Sequence, residues 1–186
     1  MSAFLKKEDC MLVVVDIQER LCNTMEKDFK DTFLKNGIIL IRSAKACDIP
    51  IIVSEQYPKG LGRTIPEVIT HLDDIPRLGK MSFSCYRDLI LRNSIDSLGK
   101  KTVIVCGIEA HVCVMQTVID LMTAGYSVAV ASDAVCSRRT HDRVMALDAM
   151  ARLGALVYST ETIVFMLMEK AGTELFRQVS PLFKDL

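Results

Sequence analysis

The chain has no tryptophan, only three histidines and no excess of either charge among its 186 residues. Lys plus Arg number 23, and so do Asp plus Glu, so the charge pattern gives no basis for binding nucleic acid or an anionic membrane. No apolar run approaches the roughly 20 residues that a membrane span needs. The first residues also lack the apolar segment of a signal peptide. We therefore expect a cytoplasmic protein with neither a nucleic-acid nor a membrane partner.

Several common sequence motifs are missing as well. There is no GxGxxG turn, no GxxxxGK(S/T) loop and no GxSxG elbow, which argues against a dinucleotide-binding domain, a P-loop NTPase and a serine α/β-hydrolase. The histidines, His71, His111 and His141, are far apart, and the seven cysteines form no CxxC pair. We therefore predict no metal site and no cofactor, and the scattered thiols favour a reducing compartment.

Five short apolar runs, rich in Val and Ile, recur along the chain and predict parallel strands buried on both faces. They are Met11–Val15, Ile51–Ser54, Thr102–Cys106, Ser127–Ala131 and Ala155–Ser159. Residues at helical spacing lie between the runs, such as the sets Leu34, Ile38, Ile41, Ala44 and Val144, Leu147, Ala151. We predict one α/β domain over residues 1–186, with a mostly parallel sheet flanked by helices.

The segments outside this alternation are a loop and the chain's last residues. Pro58, Gly60, Gly62 and Pro66 mark 55–66 as the clearest long loop. The residues after Gly172 are expected to form a terminal helix.

Cys113 lies in the sequence VIVCGIEAHVCVMQTVIDLM, which predicts a buried strand, a turn with one glycine and a helix that begins at this cysteine. A helix N-terminus lowers the pKa of a thiol and offers N–H donors to an oxyanion. Cys113 is therefore a candidate nucleophile. The alternative is that it is a small apolar residue of an ordinary helix.

Two charged residues stand where ligands bind in parallel sheets, past the carboxyl ends of strands. Asp16 follows the first apolar run and could accept a thiol proton, or could simply cap a helix. Lys80, in the sequence LGKMSFSC, could favour the thiolate, or could be a solvated surface lysine.

Taken together, Asp16, Lys80 in KMSFS and Cys113 in GIEAHVCV resemble the isochorismatase-like cysteine hydrolases. The sequences EQYPKGLGR and GIEAHVC are most similar to the isochorismatase domain-containing proteins of that family. The resemblance implies a Rossmann-like three-layer fold with a six-stranded sheet, and a Cys–Asp–Lys triad. It further implies a cis peptide bond between Ile108 and Glu109, and a homo-oligomer, a dimer or a tetramer.

The sequence departs from the family pattern at three places. Isochorismatases proper carry aspartate where this chain has Cys113, which argues against vinyl-ether hydrolysis. The Asp/His metal set of nicotinamidases has no counterpart after the second strand. Glu109 replaces a small residue that is common in the amidases of the family, and this change would narrow or recharge the pocket.

These observations lead to the hypothesis of a cysteine hydrolase that cleaves a C–N bond of a small amide or ureide. Cys113 attacks, Asp16 transfers the proton, Lys80 holds Asp16, and the backbone N–H groups of Glu109 and Cys113 form the oxyanion hole. The candidates for substrate binding are Gln18, Gln56, Tyr57, Arg63 and Phe83. Two alternatives remain open: a non-catalytic scaffold that binds another protein, and a redox-sensing thiol protein.

Overall fold

The strands form one six-stranded sheet in the computed structural model, which describes residues 3–184. They are β1 Cys10–Val15, β2 Ile51–Gln56, β3 Arg77–Lys80, β4 Thr102–Ile108, β5 Ser127–Cys136 and β6 Leu156–Tyr158. Their order across the sheet is β3-β2-β1-β4-β5-β6, and every neighbouring pair is parallel. The predicted α/β class and the six-stranded sheet are therefore confirmed.

Nine α-helices connect and follow the strands within residues 3–184. They are α1 Glu19–Cys22, α2 Lys27–Ala46, α3 Pro58–Leu61, α4 Pro66–Ile69, α5 Leu89–Ser97, α6 Met115–Thr123, α7 Thr140–Arg152, α8 Thr160–Met168 and α9 Glu174–Val179. Short 3-10 turns cover Lys7–Asp9, Cys85–Arg87 and Ser180–Phe183, and a π-helical turn covers Ala110–Val114. In the described part of the chain, no helix is long and apolar enough to cross a membrane.

The core has two parts because the side chains of a strand alternate between the faces of the sheet. Along β1, Leu12 and Val14 pack on the face covered by α2, α8 and α9, whereas Met11, Val13 and Val15 pack on the face covered by α5, α6 and α7. All six residues of β1 are buried. The result is a three-layer sandwich with the carboxyl ends of the strands at one edge.

The hydrophobic pattern missed or misjudged several elements. β3 escaped notice because its sequence, RLGK, has a single large apolar residue. The predicted loop 55–66 is shorter, since β2 extends to Gln56 and α3 lies within it. The expected terminal helix is α9 followed by a 3-10 turn, and residues 185–186 lie outside the described range.

The prediction of the buried face was also wrong for α7, although it was correct for α2. Val144 is 52% exposed, whereas Ala146 and Met150 are the buried residues of α7. In α2, Ile41 and Ala44 are buried as predicted.

Candidate active site

Asp16 and Lys80 form a fully buried ion pair at the carboxyl edge of the sheet. Asp16 directly follows β1 and Lys80 ends β3. Lys80 Nζ lies 2.7 Å from Asp16 Oδ2, and neither side chain is exposed to solvent. Asp16 has a φ of 51°, a left-handed conformation that Asp tolerates better than most residues. This conformation ends the extended run of β1 at the carboxylate.

The ammonium group of Lys80 is surrounded by acceptors. Besides Asp16, it donates to Gln56 Oε1 at 2.6 Å and to the backbone oxygen of Phe83 at 2.8 Å. Burial acts to lower the pKa of Lys80, but the Asp16 carboxylate, joined by the Cys85 and Cys113 sulfurs once these ionise, outweighs it, so the pKa is raised overall. Lys80 is therefore a permanent cation at neutral pH, and the alternative of a solvated surface lysine is excluded.

Cys113 lies beside this pair. Its side chain is almost wholly buried, and its sulfur is 4.0 Å from Gln56 Oε1, the atom that also accepts from Lys80. Burial first, and then the Asp16 carboxylate with its hydrogen bond, raise the pKa of the Cys113 thiol far above its usual range, while Lys80 opposes them. The structure thus brings Asp16, Lys80 and Cys113 together.

Two expectations about the cysteine need correction. No α-helix begins at Cys113, because the residue lies within the π-helical turn Ala110–Val114 and α6 begins only at Met115. The predicted lowering of the thiol pKa is also wrong. The burial and carboxylate that raise the pKa exceed any effect of a helix end.

The chain between β4 and the π-helical turn has an unusual backbone. The Ile108–Glu109 peptide bond is cis, and Gly107 has a φ of 124°. A Cβ atom on Gly107 would lie 2.0 Å from the backbone oxygen of Val15, so only glycine fits where β4 runs against β1. The carbonyl of Glu109 accepts from the N–H groups of Val112 and Val114 and so begins the turn.

The carboxylate of Glu109 is paired on the β5 side of the site. It accepts a hydrogen bond from the backbone N–H of Arg138 and lies 3.1 Å from the Nε atom of the same residue. Glu109 is buried, whereas the Arg138 side chain is 56% exposed. The charge that replaces the small residue of the amidases is therefore compensated within the chain.

Gln18 and Gln56 form a network at the end of β2. The Gln18 amide accepts from Gln56 N–H at 2.7 Å and donates to the backbone oxygens of Gln56 and Gly62 at 2.9 and 2.7 Å. Gln56 donates in turn to the backbone oxygen of Met81. Both amides thus hold backbone segments around Lys80, and only the Gln56 side chain reaches Cys113.

The other substrate-binding candidates are placed differently from one another. The Tyr57 and Phe83 side chains are about half exposed, at 47% and 54%, and their backbones adjoin Lys80. Arg63 pairs with Glu55, which follows Ser54 in β2 and therefore points to the opposite face from Ser54 and Gln56. Arg63 and Glu55 line a separate cavity of about 550 Å³. The structure does not bring Arg63 to the triad.

His111 lies in the same π-helical turn as Cys113, but its side chain contacts residues after β5 rather than the Asp16–Lys80 pair. Its Nδ1 atom is 2.9 Å from Ser137 Oγ, and its Nε2 atom is 3.8 Å from an oxygen of Asp142. Within residues 3–184, no group of three or more His, Cys, Asp or Glu residues is arranged to hold a metal ion. Metal independence stays a prediction.

Three polar residues of the site escaped the sequence reasoning as functional candidates. Ser54 donates to Asp16 Oδ1, Cys85 contacts Ser54, and Thr117 bonds to the backbone of Cys85 and Cys113. The available signal was the spacing of Ser54 and Gln56, two residues apart on one face of β2.

The α/β sheet and the sequence of this chain are similar to those of known proteins. The family model for the isochorismatase domain matches residues 10–162, a range that includes all six strands. The chain therefore belongs to the isochorismatase family and has the fold of a hydrolase.

Individual relatives agree with this assignment. The secreted isochorismatase effector Isc1 of Phytophthora sojae is 38% identical over 150 residues, covering 78% of this chain and 71% of that protein. Isochorismatase family protein 1A of Dictyostelium discoideum is 32% identical over 185 residues, covering 97% and 89%. The structure of the MAR1 ribonuclease from Caenorhabditis elegans superposes with a TM-score of 0.89 at 33% identity, covering 97% of this chain and 92% of that one.

Proposed function

We propose that this chain is a cysteine hydrolase that cleaves the C–N bond of a small amide or ureide through a thioester. The observation that carries the proposal is the contact of three buried groups: a thiol, a carboxylate that can take its proton and an ammonium that fixes the carboxylate. Charged groups are rarely buried without a partner, and perturbed groups cluster at functional sites.

In the first half of the reaction, Cys113 Sγ attacks the substrate carbonyl while its proton moves to Asp16. The raised pKa of the thiol means that the resting site holds a neutral S–H, so the proton transfer accompanies the attack. Asp16 then gives the proton to the leaving nitrogen, the C–N bond breaks, and an amine or ammonia departs. The acyl group remains on Cys113 as a thioester.

In the second half, water replaces the amine. Asp16 takes a proton from the water, whose oxygen attacks the thioester carbonyl. The C–S bond breaks, the proton returns to the sulfur, and a carboxylic acid leaves. The two halves together consume one water for each C–N bond and restore the starting site.

Lys80 has an electrostatic role in this scheme. Its ammonium keeps Asp16 oriented when the site is empty, and balances the charge of the site during the reaction. Because Nζ also donates to Gln56 and to the backbone oxygens of Ser82 and Phe83, Lys80 cannot move away from the carboxylate without breaking these hydrogen bonds.

The oxyanion would be stabilised by the backbone N–H groups of Glu109, which directly precedes the π-helical turn, and of Cys113 within that turn. Exposure of only 5% at Cys113 favours a small substrate that enters through a narrow opening. The half-exposed rings of Tyr57 and Phe83 are the proposed apolar contacts at its rim.

A substrate screen tests the proposal. Small amides, ureides and esters are incubated with the protein, and release of ammonia or acid is measured with and without a chelator. The Cys113→Ala variant should be inactive, whereas Cys47→Ala is the matched control because Cys47 is equally buried at the end of α2. Equal activity in the wild type and Cys113→Ala would refute the proposal.

The same screen separates the alternatives. One relative is described as a ribonuclease, so a single-stranded RNA belongs in the panel, although this chain is neutral overall. RNA cleavage that survives Cys113→Ala would point to a different chemistry. A protein that is inert toward every substrate, but whose Cys113 oxidises readily with peroxide, would favour the redox-sensing alternative. A protein inert in both assays would favour the scaffold.

A further inference from the structure

A series of hydrogen bonds connects the Asp16 carboxylate to buried polar residues outside the candidate triad. Ser54 Oγ donates to Asp16 Oδ1 at 2.7 Å, and the Cys85 thiol donates to Ser54 Oγ at 3.3 Å. Since the Ser54 oxygen accepts from Cys85, its single proton is directed at the carboxylate. Lys80 holds the other carboxylate oxygen, so Asp16 is fixed at both ends.

The same series of hydrogen bonds continues to the nucleophile. The backbone N–H of Cys85 donates to Thr117 Oγ1 at 2.9 Å, and that hydroxyl donates to the backbone oxygen of Cys113 at 2.7 Å. Thr117 is on α6, one helical turn beyond Cys113. Cys85 therefore connects the segment after β3 both to the proposed base and to the turn that carries the proposed nucleophile.

The side chains that this series of hydrogen bonds joins are all completely buried. Ser54, Cys85, Thr117 and Asp16 each have 0% exposure. Ser43 on α2 is a useful contrast, because it is equally buried but its hydroxyl has no hydrogen-bond partner among residues 3–184. The hydroxyl of Ser54 thus differs from that of Ser43 because it donates a hydrogen bond to the Asp16 carboxylate.

We propose that Ser54 is a positioning residue for Asp16, and that Cys85 and Thr117 tie this hydroxyl to the backbone of Cys113, so that base and nucleophile keep a fixed separation. The inference rests on the proposed function, because it assigns Asp16 and Cys113 their roles in proton transfer. It adds three residues that neither touch the substrate nor belong to the triad.

The titratable groups that face Asp16 come from separate segments. Lys80 approaches from β3, Cys85 from the turn after it, and Cys113 from the π-helical turn. Burial raises the pKa of Cys85 to about 11, with Asp16 as the next cause, so Cys85 remains a neutral donor at physiological pH. The Ser54 hydroxyl is the uncharged donor whose removal alters Asp16 without removing a charge.

The test measures how fast chloroacetamide alkylates Cys113 as a function of pH, which requires no knowledge of the natural substrate. Ser54→Ala takes from the carboxylate a hydrogen bond that favours its charged form. The acid limb of the alkylation profile should move to higher pH, and amide turnover should fall about 10- to 100-fold in kcat with little change in KM. Ser54→Thr, which keeps the hydroxyl, should restore the position of the limb.

Two further variants test the separate parts of this series of hydrogen bonds. Ser43→Ala is the matched control and should leave the profile and the turnover unchanged. Thr117→Val keeps the shape but removes the hydroxyl that holds Cys113, so it should slow alkylation without moving the acid limb. Circular dichroism confirms that each variant is folded, and Thr117→Val provides the test if Ser54→Ala is not.

An unmoved acid limb in folded Ser54→Ala, or an equal shift in Ser43→Ala, would overturn the inference. Absence of amide hydrolysis by the wild type would contradict the proposed function instead. In that case the alkylation profile would still report whether Ser54 controls the Asp16–Cys113 pair.

Discussion

The Lys80→Met variant isolates the energy of the buried ion pair. Methionine keeps most of the unbranched stem of lysine but leaves the Asp16 carboxylate, with 0% exposure, without its cation. Breaking a buried pair by removing one partner typically costs about 3–5 kcal/mol, because the remaining charge is uncompensated. A domain of this kind has only about 5–15 kcal/mol of stability in total, so the midpoint of urea unfolding at pH 7 should fall markedly.

The surface provides a matched control for this measurement. Lys45 pairs with Asp73, but their side chains are 37% and 66% exposed, and exposed pairs contribute about 0–1 kcal/mol. Lys45→Met should therefore change the stability little. A second substitution, Asp16→Asn, should restore part of the stability lost in Lys80→Met, because it removes the unpaired buried charge.

The pH dependence follows from the direction of the pKa shift. The pKa of Lys80 in the folded protein is raised above its usual value of 10.5, so its contribution is fully present below about pH 10 and is lost as the pH rises through the folded value. The difference in the free energy of unfolding between the wild type and Lys80→Met should become smaller in that alkaline range. A loss below about 1 kcal/mol at pH 7, as small as that of Lys45→Met, would refute this reasoning.

The remaining predictions concern reactivity, backbone and assembly. Cys113 should be the first of the seven thiols to react with limiting iodoacetamide, because it is the candidate nucleophile beside a carboxylate base. The rate of this alkylation should rise with pH because the pKa of the thiol is raised. Peptide mapping that finds Cys85 or Cys136 labelled first would count against this prediction. Gly107→Ala should give insoluble or severely destabilised protein, since its Cβ would meet the backbone of Val15 at 2.0 Å; an alanine variant with wild-type thermal stability would disprove the packing argument. The protein should form a homo-oligomer, a dimer or a tetramer, and light scattering that gives a monomer mass at micromolar concentration would exclude this.

Much of the sheet could be predicted from the sequence, because strands buried on both faces need near-continuous apolar runs. The edge strand β3 could not, since only Leu78 among its four residues is a large apolar residue. The inward face of α7 was misjudged because Ala146 and Met150, rather than Val144, point to the sheet. Helical spacing alone does not show which of several apolar stripes meets the core.

For the candidate site, sequence position was informative where the strands determine the geometry. Asp16 follows β1 and Lys80 ends β3, both at the carboxyl edge of the sheet with β2 between them, so the family resemblance was enough to predict that they meet. The hydrogen bonds of Ser54, Cys85 and Thr117 could not be, because they join residues 31 and 32 positions apart. The raised pKa of Cys113 depends on its burial beside Asp16, which only the three-dimensional arrangement defines.

The central claim is that Cys113 carries the acyl group, and an activated ester of a small acid tests it most directly. A p-nitrophenyl ester should acylate the protein faster than water removes the acyl group, giving a burst of about one nitrophenolate per chain. Acid quenching followed by peptide mass spectrometry should find the acyl mass on the peptide that contains Cys113. A burst of equal size in Cys113→Ala, or an acyl group on another residue, would contradict the account.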